Sequence, residues 1–358
     1  MNASIRLCLF AAPGVKLGCQ LRPGTTLCQP DRMEILTTAN AWQRLAQISD
    51  AEGRVTAWTR EYEAGFPTVF DVYYSAWGDK GRRRDAARRA PELTQRIRAA
   101  ESRARVLLRQ AEDDFRDRGL LCEDDLHAVL LVGGHTSNGW VAEHAGQRTL
   151  FLALEFLGHP PHDDLLVVHE LTHVAQAQLS VATRAQTYPA SLAVMVEGAA
   201  TATTRVVRPG FTDSAYLWMD EGHHQWVDRC RASAPKIATM LLEHLDTPDD
   251  ADAVAPLFRN VTDQHVPARS AYWAGDQIAQ DMLQQGYALR DLLSIAEDDA
   301  RTWVATWPRR IYEHPGDRSC CDPARPANPE KVRHSAASRP HVKGPVMPLD
   351  SCRNASDC

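Results

Sequence analysis

No stretch of this chain is apolar for long enough to cross a bilayer, which takes about 18 residues or more. A membrane span is therefore not expected. A secretory leader needs a basic start and an apolar stretch of about 7–15 residues. Here the apolar stretch 5–12 is short, and Pro13 stops it. Leu17-Gly18-Cys19 has the outline of a lipoprotein cleavage site, but Lys16 stands where an aliphatic residue belongs. Lysine is scarce beside arginine, and the net charge is only −6. Nothing draws the chain as a whole to nucleic acid or to an anionic membrane. Cysteine is also thin where it would matter. Of nine cysteines, only Cys122 and Cys230 lie away from the two ends. Two thiols cannot staple a body of this size. The expected state is reduced thiols in a cytoplasmic protein, with a secreted or lipid-anchored protein as the alternative.

The ends differ from the middle. Residues 1–35 hold three cysteines and two Pro-Gly pairs without sustained periodicity. Residues 313–358 are rich in proline and cysteine and poor in aliphatic side chains. Both read as disordered tails. Between them, residues 36–312 form one domain, helical over 36–120 and mixed over 121–312. Apolar residues recur at helical spacing over 36–50, 52–64 and 92–118, and the aromatic stretch 66–78 reads as a further helix. The basic run 80–89 reads as a solvated helix start rather than a nucleic-acid contact. Two aliphatic runs, His127–Gly133 and Arg148–Leu154, read as strands. The polar segment Gly133–His144 between them reads as a loop, and its His135 and His144 as surface histidines.

What the chain does have is His169-Glu170-Leu171-Thr172-His173. On a helix, four residues turn through about 400°, so both imidazoles leave one face about a turn apart. Two ring nitrogens so placed can bind one zinc ion at about 2.0–2.1 Å each. Glu170 then reaches a water at the metal rather than the metal itself. A zinc site lowers the pKa of that water towards about 7, and the carboxylate can take its proton. Leu165, Leu166, Val167, Val168, Leu171, Val174 and Ala175 surround the polar trio, so the helix is expected to be buried. Buried histidine and glutamate need partners, and a metal supplies one.

A catalytic zinc usually takes three protein ligands and leaves one position open. A third histidine six residues after His173 is absent, because Leu179 stands there. Glu197 is the candidate. Tyr188-Pro189-Ala190-Ser191 reads as a turn with Ser191 as N-cap, and a helix then runs to about Val207. Gly198, Ala199 and Ala202 on it are small enough for close approach to the His-bearing helix. Glu221, His223 and His224 are the competing third ligands.

HExxH followed by Glu197-Gly198 on a second helix resembles the glutamate-zincin metallopeptidases. Twenty-three residues lie between His173 and Glu197, more than in the best-known members. A closer resemblance is to bacterial families described as predicted Zn-dependent proteases. These add a downstream segment P-x-R-x-x-Y-x-x-G-x-x-I, which here reads Pro267-Ala-Arg269-Ser-Ala-Tyr272-Trp-Ala-Gly275-Asp-Gln-Ile278. The resemblance covers about residues 40–305. It implies an α+β, mostly helical fold: a zincin-like catalytic domain with a small sheet beside the HExxH helix. It implies Zn²⁺ held by His169, His173 and Glu197, with Glu170 as general base. In such a fold a sheet edge borders the cleft and can hold an extended peptide by backbone pairing.

Zinc peptidases also need a donor for the oxyanion that forms on the attacked carbonyl. Tyr272 and His265 are the candidates, with Tyr272 preferred. Arg269 can hold a substrate carboxylate or phosphate through two parallel hydrogen bonds. The expected function is a metallopeptidase acting on a peptide or protein substrate. The alternatives are a zinc hydrolase of other amides or esters, and a non-catalytic zinc-containing binding module. Neither the substrate nor the oligomeric state is legible.

Overall fold

The computed structural model describes residues 33–122, 126–160, 162–185, 187–261 and 263–313, the last five through their backbone alone. The tails read at 1–35 and 313–358 lie outside these residues except at their inner ends. Strand β1 already runs over Met33–Thr37, so the ordered body begins ahead of residue 36. Met33 is buried, which the Pro- and Cys-containing stretch before it had obscured.

Four helices follow β1: α1 over Ala39–Ala46, α2 over Ala51–Ala57, α3 over Pro67–Ala76 and the long α4 over Arg83–Asp117. A π-helical turn, Trp58–Glu63, prolongs α2. It lets Trp58 Nε1 donate to Glu63 at 2.8 Å, and it points Tyr62 at Thr38. The basic run leads into α4, and its arginines on that helix are paired. Arg83 meets Glu63 at 2.7 Å, and Arg84 and Arg88 meet Glu52 at 3.0 and 2.6 Å.

Three strands then complete one sheet: β2 over Leu126–Leu131, β3 over Gly139–His144 and β4 over Gln147–Ala153. The order is β1-β2-β4-β3, with β1, β2 and β4 parallel and β3 antiparallel at one edge. The segment read as a loop is therefore half strand. Gly139, Glu143 and His144 kept it from looking like one. It pairs because Ala145 (φ 53°) and Gly146 (φ 80°) form a tight two-residue turn back into β4. Trp140 is then stacked between Trp77, at 5.5 Å, and Phe151, at 5.2 Å.

The remaining elements are helical: α5 over His162–Leu179, α6 over Ala190–Val207, α7 over Asp213–Trp218, α8 over His224–Ala232, α9 over Ala234–Glu243, α10 over Ala255–Phe258, α11 over Ser270–Gln284, α12 over Leu289–Leu293 and α13 over Glu297–Glu313. The fold is α+β and mostly helical, with one small mixed sheet. Helix α5 packs on β3 and β4, on α4 and on α6. That position buries nearly all of it. Asp163 and Asp164 sit in its first turn, where the helix dipole favours negative charge. Asp163 also holds the incoming loop, accepting from the Gly158 and His159 amides.

Helix α6 begins at Ala190 after Pro189, and Ser191 is inside it rather than capping it. Gly198 serves a different neighbour from the one expected. A Cβ built on Gly198 would lie 2.2 Å from the Gly275 carbonyl, and one on Gly275 would lie 2.1 Å from the Val194 oxygen. Gly198 thus faces α11, not α5. Two glycines back to back let α6 and α11 touch through their main chains. Among the described residues no helix is long and apolar enough to cross a membrane, and Cys122 and Cys230 are free thiols.

Candidate metal centre

Helices α5 and α6 bring His169, His173 and Glu197 together. Glu197 Oε2 stands 3.3 Å from His169 Nε2 and 3.6 Å from His173 Nε2. One ligand atom from each residue lies within 4.8 Å of the others, and no other such trio of histidine, cysteine or carboxylate occurs among the described residues. Ligands about 2.0–2.1 Å from a tetrahedral zinc stand about 3.3–3.4 Å from each other. The first separation is of that size and the second a little longer. Glu197 Oε2 is buried, and it makes no well-formed hydrogen bond despite its two nitrogen neighbours. An orphaned carboxylate oxygen facing two imidazoles is a donor set that fits a divalent cation of intermediate softness.

The tautomer of His173 follows from its neighbours. Gln176 Nε2 donates to the Val196 carbonyl at 2.8 Å, which turns Gln176 Oε1 towards His173. His173 Nδ1 lies 2.8 Å from that oxygen and must donate to it. Nε2 is thereby left to face Glu197. Such a hydrogen bond behind a ligating imidazole fixes the ring and raises its basicity. Sequence reasoning missed Gln176. Its spacing of three from His173, on the same helix face, was the available signal.

Burial disfavours the His173 imidazolium, but the Glu197 carboxylate outweighs it and pushes the group up to about 9. Burial raises Glu197 in turn, and the two histidines hold it far below the usual carboxylate range. Glu170 is buried beside them. Burial pushes its carboxyl up, against the pull of His173 and His169. Gly139, the first residue of β3, makes room for it: a Cβ there would lie 2.8 Å from Glu170 Cγ.

These residues line a cleft of about 660 Å³, floored by α5 and α6 and walled by Gly139–Glu143 of β3. Trp77, Arg148, Tyr188 and Trp218 line it as well, and none of them carries a motif that would have marked it. Tyr272 and Arg269 are in the same cleft. Tyr272 is half-buried, and burial together with Glu197 holds its hydroxyl well above the usual range. Tyr272 stands three residues before Gly275 on α11, and Gly275 meets Gly198, the residue after Glu197.

Other sequence candidates lie elsewhere. His265 is exposed and lines a separate surface groove, so it is not placed to assist at the centre. Glu221 accepts from Thr212, and His162 stands 3.7 Å from it. His223 stacks on Trp218 at 4.3 Å. Neither Glu221, His223 nor His224 joins the trio. His135 packs on Phe156, and His144 meets Thr68 at 3.0 Å. No family model, no curated protein and no solved structure matches this chain, so the likeness to zinc proteases rests on its three motifs.

Proposed function

We propose that this chain is a zinc-dependent hydrolase, and specifically a metallopeptidase with a zincin-like catalytic domain. The observation that carries the reading is the convergence of His169, His173 and Glu197 in a cleft where Glu170, one residue from a ligand, stays outside the trio. His169, His173 and Glu197 would hold the metal. A zinc ion there supplies Lewis acidity, polarising a carbonyl and acidifying a water.

The chain's own residues do the rest. Glu170 accepts the proton of the attacking water on its carboxylate and hands it to the departing amine. Its raised proton affinity suits the first half of that task. The Tyr272 hydroxyl stays protonated at neutral pH and donates to the carbonyl oxygen as charge gathers there. Strand β3 is an edge strand, with one row of backbone groups unpaired by the sheet. Its position on the cleft wall suits an extended peptide, which would add to it as a further strand. Four closed ligands, usually including cysteine, mark structural zinc sites. This trio contains none, which argues against a non-catalytic centre.

The test joins metal analysis to turnover. Purified protein should hold about one zinc per chain, and His169→Ala or His173→Ala should abolish it. Glu170→Gln should keep the metal and lose about 10²–10⁴ in hydrolysis of a diverse peptide library. Tyr272→Phe should lose about 10²–10³. A zinc-loaded wild type that cleaves neither peptides nor esters would turn the reading towards a metal-containing binding module.

A further inference from the structure

Arginine is used in a consistent way in this protein. Arg205 is held by Asp276 at 2.9 Å and Asp213 at 2.8 Å. Arg208 sits between Asp164 and Asp114. Arg54 donates to the carbonyls of Ile48, Ser49, Ala87 and Arg88, and Arg148 to that of Thr183. Each arginine that is at least half-buried finds a carboxylate or a carbonyl, with one exception among the described residues. Arg269 has neither.

Aromatic faces hold Arg269 instead. Its guanidinium carbon lies 4.5 Å from the centre of the Trp218 ring and 4.4 Å from that of Tyr272. Stacking uses the flat faces of a guanidinium and leaves the N–H groups at its edge free to donate. The backbone is committed to this placement. Arg269 has φ 62°, a left-handed conformation rare for a side chain with Cβ. Hydrogen bonds from Arg269 N to Pro256 and from Trp226 Nε1 to the Ala268 carbonyl hold it there. A strained residue at a cleft points to a task. The guanidinium lines the same cleft as the metal trio, and its charge reaches Glu170.

We propose that Arg269 is the anchor for a carboxylate of the substrate, held in the metal cleft close to the bond that is cut. The inference rests on the peptidase reading for what is cut, and on the stacked guanidinium, which meets no carboxylate or carbonyl among the described residues, for what is held. A planar fork pre-set by two rings accepts a carboxylate through two parallel hydrogen bonds. The substrates are then peptides with a free C-terminal carboxylate near the scissile bond. An acidic side chain at the same place supplies the same chemistry.

Three matched sets of N-acetylated tri- and tetrapeptides test this, using the full-length protein as isolated. One set has free C-terminal carboxylates, one has C-terminal amides, and one has amides with aspartate or glutamate in the last position. Wild type should prefer the free acids by about 10- to 100-fold in kcat/KM, the worth of a charge-assisted hydrogen bond. Arg269→Met should bring the acid-to-amide ratio to about one, and Arg269→Lys should keep part of it, since the charge remains and the fork is lost. If the amidated acidic peptides show the Arg269-dependent preference instead, the anchor stands and the carboxylate comes from a side chain. Equal cleavage of acids and amides by wild type overturns the anchor and leaves the peptidase. If no peptide is cleaved, the peptidase reading fails, and calorimetric binding of the same peptides decides the anchor. Tighter binding of acids, lost in Arg269→Met, upholds it, and equal or absent binding overturns it.

Discussion

At the scale of single residues, the centre depends on two residues that contribute no charge. Gly139 borders Glu170 so closely that alanine would push on the carboxylate rather than on main chain. Glu170 is flexible and can yield, so Gly139→Ala should leave the melting temperature nearly unchanged. Its cost should fall on catalysis, about 10²-fold, because a displacement near 1 Å of a reacting group is that expensive. A loss of folding with activity retained per folded molecule would show the opposite. Gln176 orients His173 while its amide nitrogen is fixed by Val196. Gln176→Leu should weaken zinc binding about 10- to 100-fold, measured by competition with a chromogenic chelator. Unchanged affinity would mean that packing alone sets the imidazole. The sequence showed His169, Glu170 and His173 because their spacing on one helix is their chemistry. It hid Gly139, since what that glycine avoids is another element.

At the scale of elements, the contact between α6 and α11 decides whether Tyr272 reaches the centre. Gly198 and Gly275 meet through main-chain atoms, which cannot move aside as a side chain can. Gly275→Ala should therefore cost about 1–3 kcal/mol or more in urea unfolding, the range for overpacking. It should also lower turnover, because the helices must part and carry Tyr272 with them. Full stability in this variant would mean that the helices slide at no cost. Both glycines were legible as small, but not whom they faced. Periodicity assigns a residue to a face of its own helix and says nothing of the neighbour. Strand β3 was missed for a related reason. Val141 is apolar on the outward side and His144 polar on the inward side, so the alternation is weak, and the Ala145-Gly146 turn defines the strand only once β4 is beside it.

At the scale of the whole molecule, one buried acid couples stability to pH. Glu155 is 2% exposed, and its carboxylate accepts from the Gly133 and His135 amides. Burial pushes its carboxyl up from an ordinary 4.5 to about 7, although those amides pull the other way. The folded protein thus binds this proton more tightly than the unfolded chain does. The resulting stability is complete below about pH 4.5 and is lost as pH rises through 7. Between pH 5 and 8, wild type should lose up to about 3 kcal/mol more than Glu155→Gln in urea unfolding. Parallel pH profiles for the two proteins would remove Glu155 from the account.

The sequence by itself determined the α+β class, the helical majority and the histidine pair, because each is written in local spacing. It also placed Glu197 on a helix of its own. Only the tertiary structure brought Glu197 to 3.3 Å from His169, put Tyr272 and Arg269 in the same cleft, and set β3 at its wall. Those are meetings between segments far apart in the chain. They follow from how α5, α6, α11 and the sheet fill space around one another, and packing of that kind leaves no period in a sequence.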